Sequence, residues 1–251
     1  MKRYCLYLFI LIGISCSAEL KAQKNGTVYN GNDPAVRYTG RTLVSPDGSV
    51  AFDWVGTYLE TRFTGGKLSV KVSETGTSYY NVFVDGKLHK VVKVCGTDTL
   101  IHLVSGIDKR IHSLKIQKRS EGEFGKTTVH QFVLSGSGRL AEEPAVRTRH
   151  IEFIGNSLTC GYGTDGKHRD EPFLVETENC NLTFASMVAR YYDADYTLIA
   201  HSGRGAARNY GDSVRVSKVT MKDRMLNTFD EDLTHKWNFK EYRPDLVVIN
   251  L

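Results

Sequence analysis

From residue 36 to residue 140 polar and apolar side chains alternate in short runs. Lys67-Leu68-Ser69-Val70-Lys71-Val72 has the period of two expected of a strand with one buried face. Tyr79-Tyr80-Asn81-Val82-Phe83-Val84 and Lys87-Leu88-His89-Lys90-Val91-Val92 flank Asp85-Gly86, a pair suited to the left-handed backbone of a two-residue hairpin turn. Residues 99–104, 111–118 and 128–134 carry the same richness in β-branched side chains. No helical period interrupts these runs, so the pattern predicts an all-β unit, a jelly-roll-like β-sandwich over residues 35–141. Lys87, Lys90 and Lys93 fall at strand positions and are expected to form a solvated face.

The texture changes at Ser135-Gly136-Ser137-Gly138 and Glu142-Glu143-Pro144, which read as a short linker. Beyond it Ile151-Glu152-Phe153-Ile154 reads as a short buried strand, followed at once by the turn Gly155-Asn156-Ser157. Leu182, Ala185, Ala189 and Tyr192 share one face at helical spacing and predict a helix over 182–192. Residues 196–200 form a second strand, and 246–251 a third, a continuous apolar run of the kind covered on both faces in parallel sheets. Strand, helix, strand, helix, strand over residues 147–251 predicts the opening part of a doubly wound parallel α/β domain. The fold class is thus β followed by α/β.

That arrangement sets the Ser157 hydroxyl at the C-terminal end of a strand, where open α/β sheets place their ligands. A serine there serves as a nucleophile when a base and oxyanion donors converge on it. The stretch is not a G-x-S-x-G elbow, because Thr159 stands where the second glycine would be. It resembles block I of the SGNH (GDSL-type) esterases, with Asn156 in place of the usual Asp. Thr177-Glu178-Asn179, Ser202-Gly203-Arg204-Gly205-Ala206-Ala207-Arg208-Asn209-Tyr210, Trp237-Asn238-Phe239 and the run from Pro244 to Leu251 follow in the order they take in one family. Over residues 35–251 the chain is similar to carbohydrate esterase family 2, whose members are secreted acetyl-ester hydrolases.

The resemblance implies Ser157 as nucleophile, with the backbone N–H groups of Ser157 and Gly203 as oxyanion donors and Gly205 as the fallback for the second. Tyr162, Arg204, Asn209 and Tyr210 are the candidates for contact with sugar; Arg208 is expected to support the loop. It also implies removal of acetyl groups from plant polysaccharides such as xylan and glucomannan, with no cofactor and no metal. A block III asparagine and the catalytic histidine are expected beyond Leu251, so the chain itself is expected to be an inactive or crippled fragment. Among its own histidines, Asp165-Gly166-Lys167-His168 spells D-x-x-H in a polar loop, and His201 and His235 read as structural or surface residues. The competing class is a carbohydrate-binding or degenerate module that holds glycan without catalysis.

Composition adds limits. At 251 residues, with 41% hydrophobic and 24% charged side chains, the sequence is that of an ordinary soluble protein. The net charge of +5 is spread without a dense basic stripe, which argues against nucleic acid as a partner. Lys2-Arg3 followed by an apolar run to Ile14 reads as a signal peptide over residues 1–22, too short for a transmembrane span. Secretion or periplasmic export follows; Gly13-Ile14-Ser15 is a poor lipobox, so lipidation at Cys16 is the lesser alternative. Of Cys95, Cys160 and Cys180, the last two either pair across the loop beside Ser157 or remain buried thiols.

Overall fold

The computed structural model describes residues 26–142 and 145–251; the expected signal peptide lies outside them, as do Cys5 and Cys16. Eight strands form one sheet: β1 (Gly26–Asn30), β2 (Val36–Thr39), β3 (Leu43–Val44), β4 (Val50–Phe52), β5 (Tyr58–Val84), β6 (Lys87–Lys118), β7 (Thr127–Ser135) and β8 (Arg139–Leu140). Every pairing in it is antiparallel. The expected hairpin closes at Asp85 and Gly86, whose φ angles of 49° and 75° are the left-handed values such a turn needs. β5 and β6 are far longer than ordinary strands and bend through repeated register shifts. Tyr80 pairs with Val92 on one side and Lys118 on the other, so the end of β5 lies between the two arms of β6. The sheet thereby curls around its own apolar face, burying Phe63, Leu68, Val82, Phe132 and Leu134. Leu68, Val70 and Val72 point inward, as their period of two requires. Lys87 and Lys93 are exposed, as a solvated face demands.

A second, parallel sheet has the order β10 (Asp195–Ala200), β9 (His150–Gly155), β11 (Leu246–Asn250). β9 is central and buried almost throughout. Three short helices accompany this sheet: α1 (Ser157–Cys160), α2 (Phe184–Tyr191) and α3 (Met221–Arg224). α2 is shorter than the periodicity predicted. Ala185 and Ala189 face the core, but Leu182 belongs to a preceding 3₁₀ turn and is exposed, as is Tyr192. The second crossover is also not the long helix the alternation implied; between β10 and β11 only the single turn α3 is helical. The apolar run of β11 departs from expectation too. Among the described residues it pairs only with β9, and Leu246 and Ile249 are 53% and 65% exposed rather than covered.

The two sheets share apolar clusters. Val55, just before β5, and Tyr58, its first residue, pack with Phe153, Ala185, Ala189 and Leu198, and Trp54 packs with Ile154, Ile199 and Met221. Cys160 and Cys180 are free thiols buried in the first cluster, which decides between the two cysteine alternatives; Cys95 is exposed and also free. Polar bonds cross the same boundary. Asp53 accepts the N–H groups of Asp230 (2.8 Å) and Glu231 (3.1 Å), and Arg119 Nε donates to the Glu178 carbonyl at 2.6 Å.

Candidate active site

Ser157 opens α1 directly after the central strand β9. Asn156 caps that helix: its side-chain oxygen accepts the Leu158 N–H at 3.1 Å. The amide thus does what a carboxylate would do there, which explains how Asn stands in place of Asp. Neither the Ser157 N–H nor the Gly203 N–H donates to another group among the described residues. Both residues line one open cleft of about 580 Å³, together with Glu123, Asn156, Tyr162, Ser202, Arg204, Gly205, Arg208 and Tyr210. Two backbone donors with no internal partner beside a strand-end hydroxyl are the parts an oxyanion site requires.

The loop after β10 supplies the second donor. Gly203 has φ 73°, a conformation glycine adopts at no cost, and its carbonyl accepts the Tyr210 N–H at 2.8 Å. Gly205 serves packing instead. Its N–H is spent on the Asn209 side chain at 3.3 Å, and a β-carbon there would stand 2.2 Å from the Arg208 carbonyl oxygen. Asn209 itself is buried, does not line the cleft, and donates to the Val219 carbonyl at 2.8 Å. It holds the loop rather than facing the cleft. Arg208, read as loop support, lines the cleft and is exposed. Tyr162 stacks on Phe173 with ring centroids 3.7 Å apart, and Tyr210 is 92% exposed, so both present rings at the mouth. Glu123 is a cleft residue that pattern reading passed over; it comes from the loop after β6, far from the serine in sequence.

No histidine lines the cleft among the described residues. His201 is buried, with Nδ1 2.8 Å from Asp230 and Nε2 3.5 Å from Glu123. Burial opposes its charge, but the bonds to Asp230 and Glu123 outweigh that and push it up to about 9. A histidine that holds its proton at neutral pH and faces carboxylates through both nitrogens is not a base. His168 is exposed, and the Asp165 carboxylate three residues before it is bound by Arg119 and by Asn179 at 3.0 Å. His235 faces Asp232 at 2.8 Å on the surface. Among the described residues two groups each bring three His, Cys, Asp or Glu side chains within 4.8 Å of one another: Glu121, Cys160 and Glu178, and His201, Asp230 and Glu231.

Comparison with known proteins gives this arrangement its class. The carbohydrate esterase 2 N-terminal family matches residues 38–144. Cellulase/esterase CelE of Acetivibrio thermocellus is 33% identical over 220 residues, which are 88% of this chain and 26% of that protein. An acetylxylan esterase / glucomannan deacetylase of Cellvibrio japonicus is 32% identical over 219 residues, covering 84% of this chain and 59% of the relative. A family two carbohydrate esterase from Clostridium thermocellum, solved in complex with cellohexaose, superposes with a TM-score of 0.81 at 33% identity, over 86% of this chain and 65% of that one. These relatives are esterases by name. The chain belongs to carbohydrate esterase family 2, and it spans between 26% and 60% of the length of the curated relatives it matches.

Among the described residues no helix is long and apolar enough to cross a membrane.

Proposed function

We propose that this chain carries the nucleophile and two oxyanion donors of a serine esterase that removes acetyl groups from plant polysaccharides such as xylan or glucomannan. Ser157 Oγ attacks the acetyl carbonyl, the ester C–O bond breaks, and the sugar hydroxyl leaves. Water then releases acetate from the serine. The N–H groups of Ser157 and Gly203 hold the carbonyl oxygen as it becomes negative. The observation that carries this reading is the placement of both unspent N–H groups in the cleft that holds the serine. The family relationship supports the substrate class, and the exposed rings of Tyr162 and Tyr210 suit a sugar face. The division into a jelly-roll-like sandwich over 35–141 and the first part of an SGNH-type domain over 147–251 belongs to the same proposal, as does export by residues 1–22. The reaction as written needs no cofactor.

A serine hydroxyl is a weak nucleophile without a base. His201 is committed to Asp230 and Glu123, so these 251 residues by themselves turn over slowly. Loss of one triad member in a serine hydrolase still leaves about 10³–10⁴-fold catalysis over water. The same absence of a histidine from the cleft favours a second reading, in which the cleft binds glycan without hydrolysis. Acetate release from acetylated xylan and glucomannan, measured beside retention on the same glycans, separates them. Slow, Ser157-dependent release supports the esterase; retention with no release supports the binding module; neither one overturns both.

A further inference from the structure

Beneath the cleft lies a buried polar group that the reaction does not touch. Glu121, in the loop after β6, is completely buried and accepts both the N–H and the hydroxyl of Ser202. Ser202 immediately precedes Gly203. The Glu121 N–H in turn donates to Glu178 Oε2 at 2.9 Å. Glu178 is equally buried, and its Oε1 has no partner among the described residues. Cys160, on the serine's own helix, completes the cluster, with ligand atoms of all three residues within 4.8 Å.

Resting on the reading of Ser157 and Gly203 above, we propose that Glu121 is a positioning residue for the oxyanion loop, holding Ser202 through its N–H and its hydroxyl at once. Glycine has no side chain to fix its own peptide plane, so the Gly203 N–H direction depends on its neighbours. One anchor follows it: the Tyr210 N–H bonded to the Gly203 carbonyl. The other precedes it: Ser202, held through two donors by one carboxylate. A misdirected donor forfeits what a preset oxyanion site supplies.

Glu178 fixes Glu121 in turn, because its Oε2 accepts the Glu121 N–H. Burial and the neighbouring Glu121 push the Glu178 carboxyl well up. Lys118 is itself buried and donates to Ser78 at 2.7 Å, and Arg119 binds Asp165 and the Glu178 carbonyl. Among the described residues the Glu121 carboxylate thus accepts hydrogen bonds from Ser202 alone.

The test uses the full chain and the variants Glu121→Gln, Glu178→Gln and Ser157→Ala. Acetylation of the chain by an aryl acetate is followed at varied concentration, with hydrogen exchange at the Ser202 and Gly203 amides. Glu121→Gln turns an amide NH₂ toward one of the Ser202 donors. It is expected to speed Ser202 exchange at least about tenfold and to lower the saturating acetylation rate by about 10²-fold, the scale of a lost oxyanion donor, with half-saturation nearly unchanged. Glu178→Gln, whose amide oxygen can still accept the Glu121 N–H, is expected to keep Ser202 protected. Unchanged exchange and acetylation in Glu121→Gln overturn the proposal. So does stoichiometric Zn²⁺ binding that Glu178→Gln abolishes, which would make the cluster a metal site. If Glu121→Gln does not fold, Ser202→Ala, which removes the hydroxyl donor alone, decides: faster exchange at Gly203 with a lowered acetylation rate supports the proposal, and unchanged values refute it. Loss of acetylation in Ser157→Ala is required first; without that loss it is the reading of Ser157 that fails.

Discussion

The Tyr58 hydroxyl donates to the Asp195 carboxylate at 2.7 Å, joining the first residue of β5 to the first residue of β10. Arg37 and Arg147 reach the same carboxylate at 2.7 and 2.8 Å, from β2 and from the segment leading into β9. One aspartate thus ties the curled sheet, the connecting segment and the parallel sheet together. Removing the phenol by Tyr58→Phe is expected to cost about 1.5 kcal/mol, the scale of a hydrogen bond to a charged group. Asp195→Asn leaves Arg37 with Glu60, and Arg147 with Glu60 and the exposed Asp193, and is expected to cost about 3 kcal/mol. Burial raises the Asp195 carboxyl, but the bonds from Arg37 and Tyr58 outweigh it and hold it below 3.8. Its contribution is therefore present above about pH 4 and is lost as pH falls through its folded value. Urea midpoints from pH 3 to pH 7 check this: the wild type should weaken toward acid more steeply than Asp195→Asn.

His201 predicts the opposite slope at the alkaline end. Its proton is held up to about 9 against a free value of 6.5, so folding binds that proton more tightly than unfolding does. The stabilisation is complete below about pH 6.5 and disappears as pH rises through about 9. The difference in unfolding free energy between the wild type and His201→Gln should narrow over that interval. A difference that grows with pH would contradict the ion pair with Asp230.

Gly203 and Gly205 should fail differently. An added β-carbon at Gly203 meets nothing nearer than Tyr210 Cβ at 3.8 Å, so only the φ of 73° opposes alanine. That strain is expected to cost about 1 kcal/mol. At Gly205 the same atom would stand 2.2 Å from the Arg208 carbonyl, and the loop must shift. Gly205→Ala should therefore disturb the amide resonances of residues 203–210 far more than Gly203→Ala does. Equal disturbance would mean that the loop is not packed as described.

The legible parts of this molecule were those governed by local pattern. Leu68, Val70 and Val72 carry their period of two into the core, Asp85-Gly86 makes the hairpin, and β9 ends at Ser157. What escaped depends on partners distant in sequence. The curl of the sheet arises from register shifts between two long strands, which no window of a few residues reveals. Leu182 and Tyr192 fit a helical face but lie outside α2. Glu121 and Glu123 reach the serine's surroundings from the loop after β6, where no motif marks them. Glu178 stood within a recognised motif, yet its burial against Glu121 had no signal in the one-dimensional pattern.

The most direct measurement is the site of acetylation. The intact chain is exposed to an aryl acetate, quenched in acid, and digested, and the acetyl group is located by mass spectrometry. Slow but selective acetylation of Ser157 is expected, absent from the Ser157→Ala chain and well above that of exposed serines such as Ser137. Acetyl groups spread evenly over surface serines and lysines, with none enriched at Ser157, would contradict it.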